Sequence, residues 1–548
     1  MKFGPVAIAE AAGAILAHGV RAGTVTFKKG RLLTPDDVAQ LTGAQVETVI
    51  AARLEPGDIG EDEAAGAIAE ALCGPHLTRS AAFTGRCNLF ADVAGLAVVD
   101  GDRLDRINLL SEAVTVATLP AFAPTEPRQM VATIKIIPFA APSAIVEAAT
   151  MIARAGTPIL RVEPFRTRRV ALIQTRLPGT KPSVLEKTVE ATRARVAALG
   201  SELTLTRICG HSEAELATEI ATARAQGCDP ILVLGASAIT DRRDVIPGAI
   251  VAQGGEIRHF GMPVDPGNLL LLAKLGDADV VGLPGCARSP KRNGFDWILQ
   301  RLLADVPVSR QDIMRMGVGG LLGEIAIRPL PRGEAAPEPT VAPPRAPRIA
   351  AVILAAGRST RMGAANKLLA EVDGQPMIDH AVDAALASQA RPVVVVAGHD
   401  AAKVRAAIGL REAAVVENPD HAQGLSTSVR AGIAALPAEI DGALFMLADM
   451  PRVGAAHIDR LIAAFNPVEG RAICVPTHKS KRGNPVLWAA RFFPEMRTIE
   501  GDMGARRILA EHAEQVCEVE MPDDAILLDI DTPEALAALR SASPKVRA

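Results

Sequence analysis

The stretch IAAVILAAGRSTRMGAANK at 349–367 decides how the C-terminal part of the chain is read. Its first nine residues, to Gly357, are a short apolar run rich in β-branched and small side chains, bounded by glycine, which predicts a buried strand. The chain then turns through Ala355, Ala356 and Gly357, where small residues let backbone N–H groups approach an anion directly. Arg361 and Lys367 follow and add positive charge on the same side. This is a phosphate-binding loop, and it is not the Walker type, because GxxxxGK[ST] is absent. Leu354, Ala355, Ala356, Gly357, Arg361 and Lys367 are therefore the expected triphosphate-side residues. Charge that grows on a departing pyrophosphate would be stabilised there by Arg361 and Lys367.

Outward from this loop, strand-like and helix-like segments alternate. PVVVVAGH (392–399), AAVVENP (413–419), GALFMLADMP (442–451) and AICVPTH (472–478) read as strands. MIDHAVDAALASQ (377–389) and AAKVRAAIG (401–409) read as helices. This alternation predicts an α/β fold with a mostly parallel sheet, helices on both faces, and ligands beyond the C-terminal strand ends.

LADMP at 447–451 puts Asp449 at such a strand end, where a carboxylate can hold Mg²⁺. DIDTPEAL at 529–536 offers Asp529 and Asp531, two apart and so on one side of an extended segment. Asp531 is the favoured second metal ligand, although Asp531 or Thr532 before Pro533 also suits a helix N-cap. In NPDHAQGLSTSVRAG (418–432), Gly424 and Ser428 precede a helix expected to start near Ser428, and can contact a base or ribose. KRGNPVLW (481–488) is a Gly-Asn-Pro turn into a strand, and GDMGARR (501–507) a loop offering Asp502 and Arg506 as weaker substrate contacts.

The chain has 548 residues, so three or four domains of roughly 100–200 residues are expected. Apolar residues make up 49% and charged ones 22%, an ordinary globular balance, and aromatic content is only 3% with no Tyr. The net charge of −3 gives no reason to expect nucleic acid or a membrane surface as partner. Seven scattered cysteines without CxxC pairs or zinc-ligand spacing suit a reducing cytoplasm. The first twenty residues, MKFGPVAIAEAAGAILAHGV, read as an amphipathic helix, too short to span a bilayer and without a clear cleavage site.

The sharpest boundary is RPLPRGEAAPEPTVAPPRAPR at 328–348, with seven prolines, whose composition favours an extended spacer. Before it, LTPDDVAQLTG (33–43) is a well-capped helix and MVATIKIIPF (130–139) a strand. A second α/β unit starts at RVALIQT (169–175), runs through LPGTKPS into VLEKTVEATRARVAALG (184–200), and continues through DPILVLGAS (229–237) into 238–255. The expected units are a mixed region over 1–160, an α/β domain over 165–327, the linker, and the C-terminal domain over 349–548.

The ordered series LAAGRSTRMG…NK, NPDHAQGLSTSVRAG, LADMP, GNPVL, GDMGAR and DIDTPE, over about 350–540, resembles the molybdenum-cofactor nucleotidyltransferases, and specifically the cytidylyltransferases. That resemblance implies a Rossmann-like, glycosyltransferase-A-like domain. It also implies CTP and Mg²⁺, transfer of CMP to molybdopterin or molybdenum-molybdopterin, and release of pyrophosphate. Arg361, Lys367 and Asp449 would be the catalytic groups, Asp449 and Asp531 the metal ligands, Gly424 and Ser428 nucleotide contacts, and Asn484 and Asp502 acceptor contacts. Guanylyl-transferring relatives carry LAGG where this chain has LAAG, which makes Ala356 the mark of CTP over GTP.

Residues 165–325 resemble the molybdopterin-binding fold of molybdotransferases, through RVALIQT, DPILVLGASAITDRRDVIPGAI and FGMPVDPGN…VVGLPGCARSP. The implied pterin-side residues are Gly235, Ser237, Asp241, Asp244, Pro284 and Gly285. The family's TGDE turn is replaced by Thr175-Arg176-Leu177-Pro178, and its GGxS loop by Gly235-Ala236-Ser237. The departures point to binding or channelling, or to a scaffold with a vestigial pocket, rather than to molybdate insertion. The expected enzyme is cytoplasmic, takes small-molecule substrates, and hands its product to a molybdenum hydroxylase or that enzyme's maturation chaperone. The alternatives are GTP or another acceptor such as a sugar phosphate or methylerythritol phosphate, and a non-catalytic cofactor carrier.

Overall fold

The computed structural model describes residues 1–23, 25–322, 345–357, 366–498 and 504–542. Arg361, Asp502, most of the Pro-rich linker (328–344) and the side chain of Arg506 lie outside the described residues.

The first segment departs from its sequence reading. Lys2–Ala7 is a strand, followed by a single 3-10 turn at Ile8–Glu10 and short strands at Ile15–Leu16 and Val20–Ala22. Lys2–Ala7 pairs antiparallel with Thr48–Arg53, Lys2 facing Arg53 and Ala7 facing Thr48. The alanine-rich pattern imitated a helical stripe, but Pro5 cannot donate an amide and Gly13 takes φ +77°. Both suit an edge strand and a turn, and the ladder to Thr48–Arg53 outweighs weak helix propensity. The helix at Pro35–Gly43 forms as expected. Thr34 and Asp37 make a reciprocal capping box and Pro35 fills the first turn.

Between residues 58 and 164 small antiparallel sheets and helices share one core. Met130–Ile136 lies at its centre, paired with Val114–Thr118 and Arg86–Ala91. The next unit is a six-stranded sheet. Glu202–Gly210, Arg169–Arg176, Ile231–Leu234 and Ala278–Leu283 run parallel in that order, and Leu271–Leu275 and Glu256–Phe260 complete an antiparallel edge. Its first strand lies between its second and third, so the chain reverses direction across the sheet there. The C-terminal ends of Arg169–Arg176 and Ile231–Leu234 flank this reversal, the place where sheets of this kind bind ligands.

The C-terminal sheet has eight strands. Ala413–Glu417, Val393–Ala397, Ile349–Ala355 and Gly442–Leu447 are parallel neighbours. Val486–Ala489 and Ile473–His478 then alternate direction, and Val516–Glu520 runs parallel to Ile473–His478. The sheet is thus mixed, wholly parallel in the half that carries the glycine loop and of both senses in the other. All seven residues of Ile349–Ala355 and all five of Val393–Ala397 are buried, as central parallel strands covered on both faces must be. Gly432 is the close-packing point over this half: a Cβ there would come within 2.5 Å of Val352.

The N-terminal part is stapled to the C-terminal domain. Ala346 N donates to Arg128 O (2.8 Å), and Arg128 donates to the carbonyls of Ala346 and Pro347. Arg345 forks onto Asp441 at 2.8 and 3.0 Å. Arg31 reaches Ser480 (2.5 Å), and Arg460 reaches Asp62 (3.5 Å). Among the described residues no helix is long and apolar enough to cross a membrane.

Candidate functional site

The C-terminal edge of the parallel half gathers residues far apart in sequence. Leu354, Ala355 and Ala356 are buried where the Ile349–Ala355 strand ends, and Gly357 emerges into solvent. A Cβ at Gly357 would meet nothing within 4 Å. Its φ is not in the left-handed region, so neither packing nor backbone strain among the described residues demands glycine there. The open space there leaves the backbone accessible to close approach by a ligand. Gly398 is the opposite case, because a Cβ there would lie 2.6 Å from His421 Cβ and 2.8 Å from Ala356 Cβ. The methyl of Ala356 therefore abuts the end of the neighbouring strand.

Lys367 opens a short 3-10 turn whose N-cap is Asn366. Its ammonium sits between two carboxylates, 2.5 Å from Asp449 Oδ2 and 2.7 Å from Asp531 Oδ1. These partners lie 82 and 164 residues away. Burial works against the charged ammonium, but the hydrogen bonds from Asp449 and Asp531 outweigh it and raise the Lys367 pKa above its ordinary value. Asp449 Oδ1 is buried with no hydrogen-bond partner among the described residues.

The backbone fixes which Asp of DIDTPE takes part. Ile530 N donates to Asp449 O (3.0 Å), tying the segment before the last helix to the turn that follows Gly442–Leu447. Asp531 is thereby turned to Lys367, while Asp529 is exposed. The helix-capping role belongs to Thr532, whose hydroxyl accepts from Ala535 N at 3.2 Å.

A divalent cation fits this arrangement. Two carboxylates already converge on one cationic group, and one further carboxylate oxygen is buried and unsatisfied. No group of three or more His, Cys, Asp or Glu side chains suited to a metal occurs among the described residues. Mg²⁺ asks for no more than one or two carboxylates when phosphates and water fill the remaining positions.

The other predicted nucleotide contacts are arranged differently. The helix starts at Leu425, three residues before Ser428, because Gly424 (φ +111°) turns the chain into it. Ser428 is only 3% exposed and accepts from Asn418 Nδ2 at 3.0 Å; Thr427 accepts from the same amide at 2.8 Å. Gly424 O in turn accepts from the Thr427 hydroxyl (2.9 Å). These residues brace the loop between strand and helix. Asn484 follows Gly483, whose absent Cβ would lie 2.1 Å from Ile526 O. Asn484 lies just before the Val486–Ala489 strand, and its backbone N–H donates to Ile526 O at 3.0 Å. His399 and His421, which sequence reading left out, stand beside Gly398 with ring centroids 6.3 Å apart. The dipeptide Gly398-His399 after a buried strand was the available signal.

The N-terminal α/β unit brings together a second cluster. Ala236 N donates to Thr175 Oγ1 (2.8 Å), and Thr175 Oγ1 pairs with His211 Nδ1 (2.8 Å). His211 Nε2 pairs with Ser237 Oγ (3.0 Å). Both ring nitrogens of His211 are thus engaged by hydroxyls, one at each end of the chain. Ser237 thus lies beside the strand end together with Thr175 and His211, neither of which sequence reading had assigned to the site. Gly235 O accepts from Arg288 (2.9 Å). Asp241 and Asp244 serve their own loop. Asp241 accepts from the Arg243 amide and side chain, both at 2.9 Å, and Asp244 caps Val245–Ala252 through Val245 N. Pro284 caps the 3-10 turn Gly285–Arg288, and Gly285 faces open space.

Comparison with known proteins matches residues 351–516 to the family described as MobA-like NTP transferase domain. Residues 5–53 match a domain of unknown function. The purine catabolism protein PucB of Bacillus subtilis is 30% identical over 207 residues, which is 36% of this chain and 98% of PucB. Nicotine blue oxidoreductase of Paenarthrobacter nicotinovorans is 29% identical over 198 residues, 35% of this chain and 97% of that protein. The crystal structure of Rv0371c from Mycobacterium tuberculosis aligns at 27% identity with a TM-score of 0.32, covering 36% of this chain and 99% of that one.

Proposed function

The chain belongs to the MobA-like NTP transferase family through residues 351–516, and from that premise we propose that its C-terminal domain transfers CMP from CTP to molybdopterin, with or without molybdenum. The observation that carries the transferase half of this reading is the Lys367–Asp449–Asp531 cluster at the end of the glycine loop. A phosphate oxygen of the acceptor attacks the α-phosphorus of CTP. The new P–O bond forms as the bond to the β-phosphate breaks, and pyrophosphate leaves with the electron pair. Gly357 and its neighbouring amides hold the triphosphate, with Arg361 and Lys367 neutralising the leaving group. Asp449 and Asp531 would hold Mg²⁺, which offsets triphosphate charge when bound. Lys367 sits between these carboxylates and keeps them from repelling one another. His399 and His421 offer ring faces beside Ala356 for the base, and Asn484 and Asp502 would contact the acceptor. Residues 165–327 would bind the pterin beside Thr175, His211 and Ser237, with 1–160 as an accessory region.

Pyrophosphate release by the full chain with CTP and Mg²⁺, with and without molybdopterin, tests this. Release that requires molybdopterin, and is faster with CTP than GTP, is expected. Release with a sugar phosphate or methylerythritol phosphate instead would move the acceptor assignment. Tight pterin binding without release would favour a carrier. Ala356→Gly should relax the preference for CTP over GTP by a few-fold, and an unchanged ratio would sink the argument from Ala356.

A further inference from the structure

A cavity of about 1130 Å³ lies between the 120–124 loop, the end of the Pro182–Ala198 helix, the Gly294–Leu303 helix and residues 315–322. None of its lining residues belongs to either cluster described above. Its walls carry Phe122, Trp297 and Met316, together with the cationic Arg292, Arg301 and Arg315.

Arg301 sets the character of this space. It is 4% exposed, and its guanidinium carbon stands 3.6 Å from the centroid of the Phe122 ring. Its Nε is buried with no hydrogen-bond partner, and no described residue accepts a hydrogen bond from the rest of the fork. Asp312 lies near enough for its charge to act on Arg301, but no hydrogen bond joins the two. Asp312 accepts from the amide and hydroxyl of Ser309, at 2.8 and 2.7 Å. Asp296 accepts from Arg195 Nε at 2.8 Å and from Asn293 N at 2.8 Å. Arg195 is itself spent on Asp296 and on the carbonyls of Ala287 and Lys291. A buried guanidinium without an acceptor is costly, and the usual remedy is an oxyanion that the planar fork can bind at two points. Arg292, stacked 6.0 Å from the Trp297 centroid, adds a second cation over an aromatic wall. The volume matches a small-molecule site rather than a packing defect.

We propose that this cavity binds a ligand with a planar ring and an oxyanion, the oxyanion on Arg301 and the ring against Trp297 and Phe122. Carboxylate and phosphate share this chemistry. Calorimetric titration of the full chain with phenyl phosphate, benzoate and inorganic phosphate distinguishes them. Saturable binding of phenyl phosphate or benzoate is expected, at least tenfold tighter than inorganic phosphate, with the tighter of the two naming the oxyanion. Arg301→Gln should weaken that binding at least tenfold. Trp297→Leu, which leaves the buried charge in place, should weaken it similarly and serves if Arg301→Gln fails to fold. Absence of saturable binding of both ring-bearing probes would overturn the proposal. So would equal affinity in a variant that melts like the parent.

Discussion

The two α/β units build the same stage and put different chemistry on it. In each, a buried first strand lies between later parallel strands, and the polar residues collect where those strands end. At the end of Ile349–Ala355 the cluster is ionic, with Lys367 held between Asp449 and Asp531. At the end of Arg169–Arg176 it is a hydroxyl–imidazole chain in which Thr175 and Ser237 bracket His211. Ionic groups suit a reaction in which phosphate charge moves. A hydroxyl–imidazole chain suits holding a polar ligand by hydrogen bonds. Architecture alone would not separate the two roles; the side chains at the strand ends do.

The hardest blow to this contrast would come from Asp449→Asn. Loss of one preorganised charged group at a phosphoryl-transfer centre lowers kcat by about 10²–10³, with little change in melting temperature. Transfer that survives the substitution would mean the ionic cluster is only structural. Next, two glycines of the C-terminal domain should fail in opposite ways. Gly483→Ala drives a Cβ against Ile526 O and should destabilise by about 1–3 kcal/mol in thermal or denaturant unfolding. Gly357→Ala meets open space and should leave stability alone while raising the KM for CTP. Then, His211→Ala in the hydroxyl–imidazole cluster should raise the KM for the acceptor about tenfold, roughly 1.4 kcal/mol, without changing kcat; a fall in kcat instead would erase the division of labour.

The smallest effect concerns pH. The folded pKa of Lys367 is raised above its ordinary 10.5, so its ion pairs stabilise fully below that value and are lost as pH climbs through the raised one. Above about pH 10.5 the melting temperature of the parent should fall more steeply than that of Lys367→Met. Parallel curves would show that the ammonium is not held as described.

Much of the ionic cluster was legible because its signals are local. A buried strand, a small-residue turn and a lysine follow one another within nineteen residues, 349–367, and LADMP carries its carboxylate at a strand end. The choice of Asp531 over Asp529 was readable only as a preference; the Ile530 amide on Asp449 O turns it into geometry. His211 left no trace, since its partners lie 36 and 26 residues away and the contact exists only once three strands are aligned. Arg301 looked like an ordinary charged position on a helix, and its burial arises from the 120–124 loop that covers it. The first twenty residues misled for the converse reason. Their apolar spacing was real, but the partner strand at Thr48–Arg53 determined what it meant.

The stapled seam changes what the Pro-rich segment is for. Leu322 donates to Asp265 (2.8 Å) on one side and Ala346 to Arg128 on the other, so both ends of the intervening chain are already fastened. With Arg345 on Asp441, Arg31 on Ser480 and Arg460 on Asp62 adding further ties, the peptide bonds between 323 and 344 are covalently redundant. A protease that nicks the chain there should leave a particle of unchanged size in gel filtration, and the halves should part only when these contacts are broken.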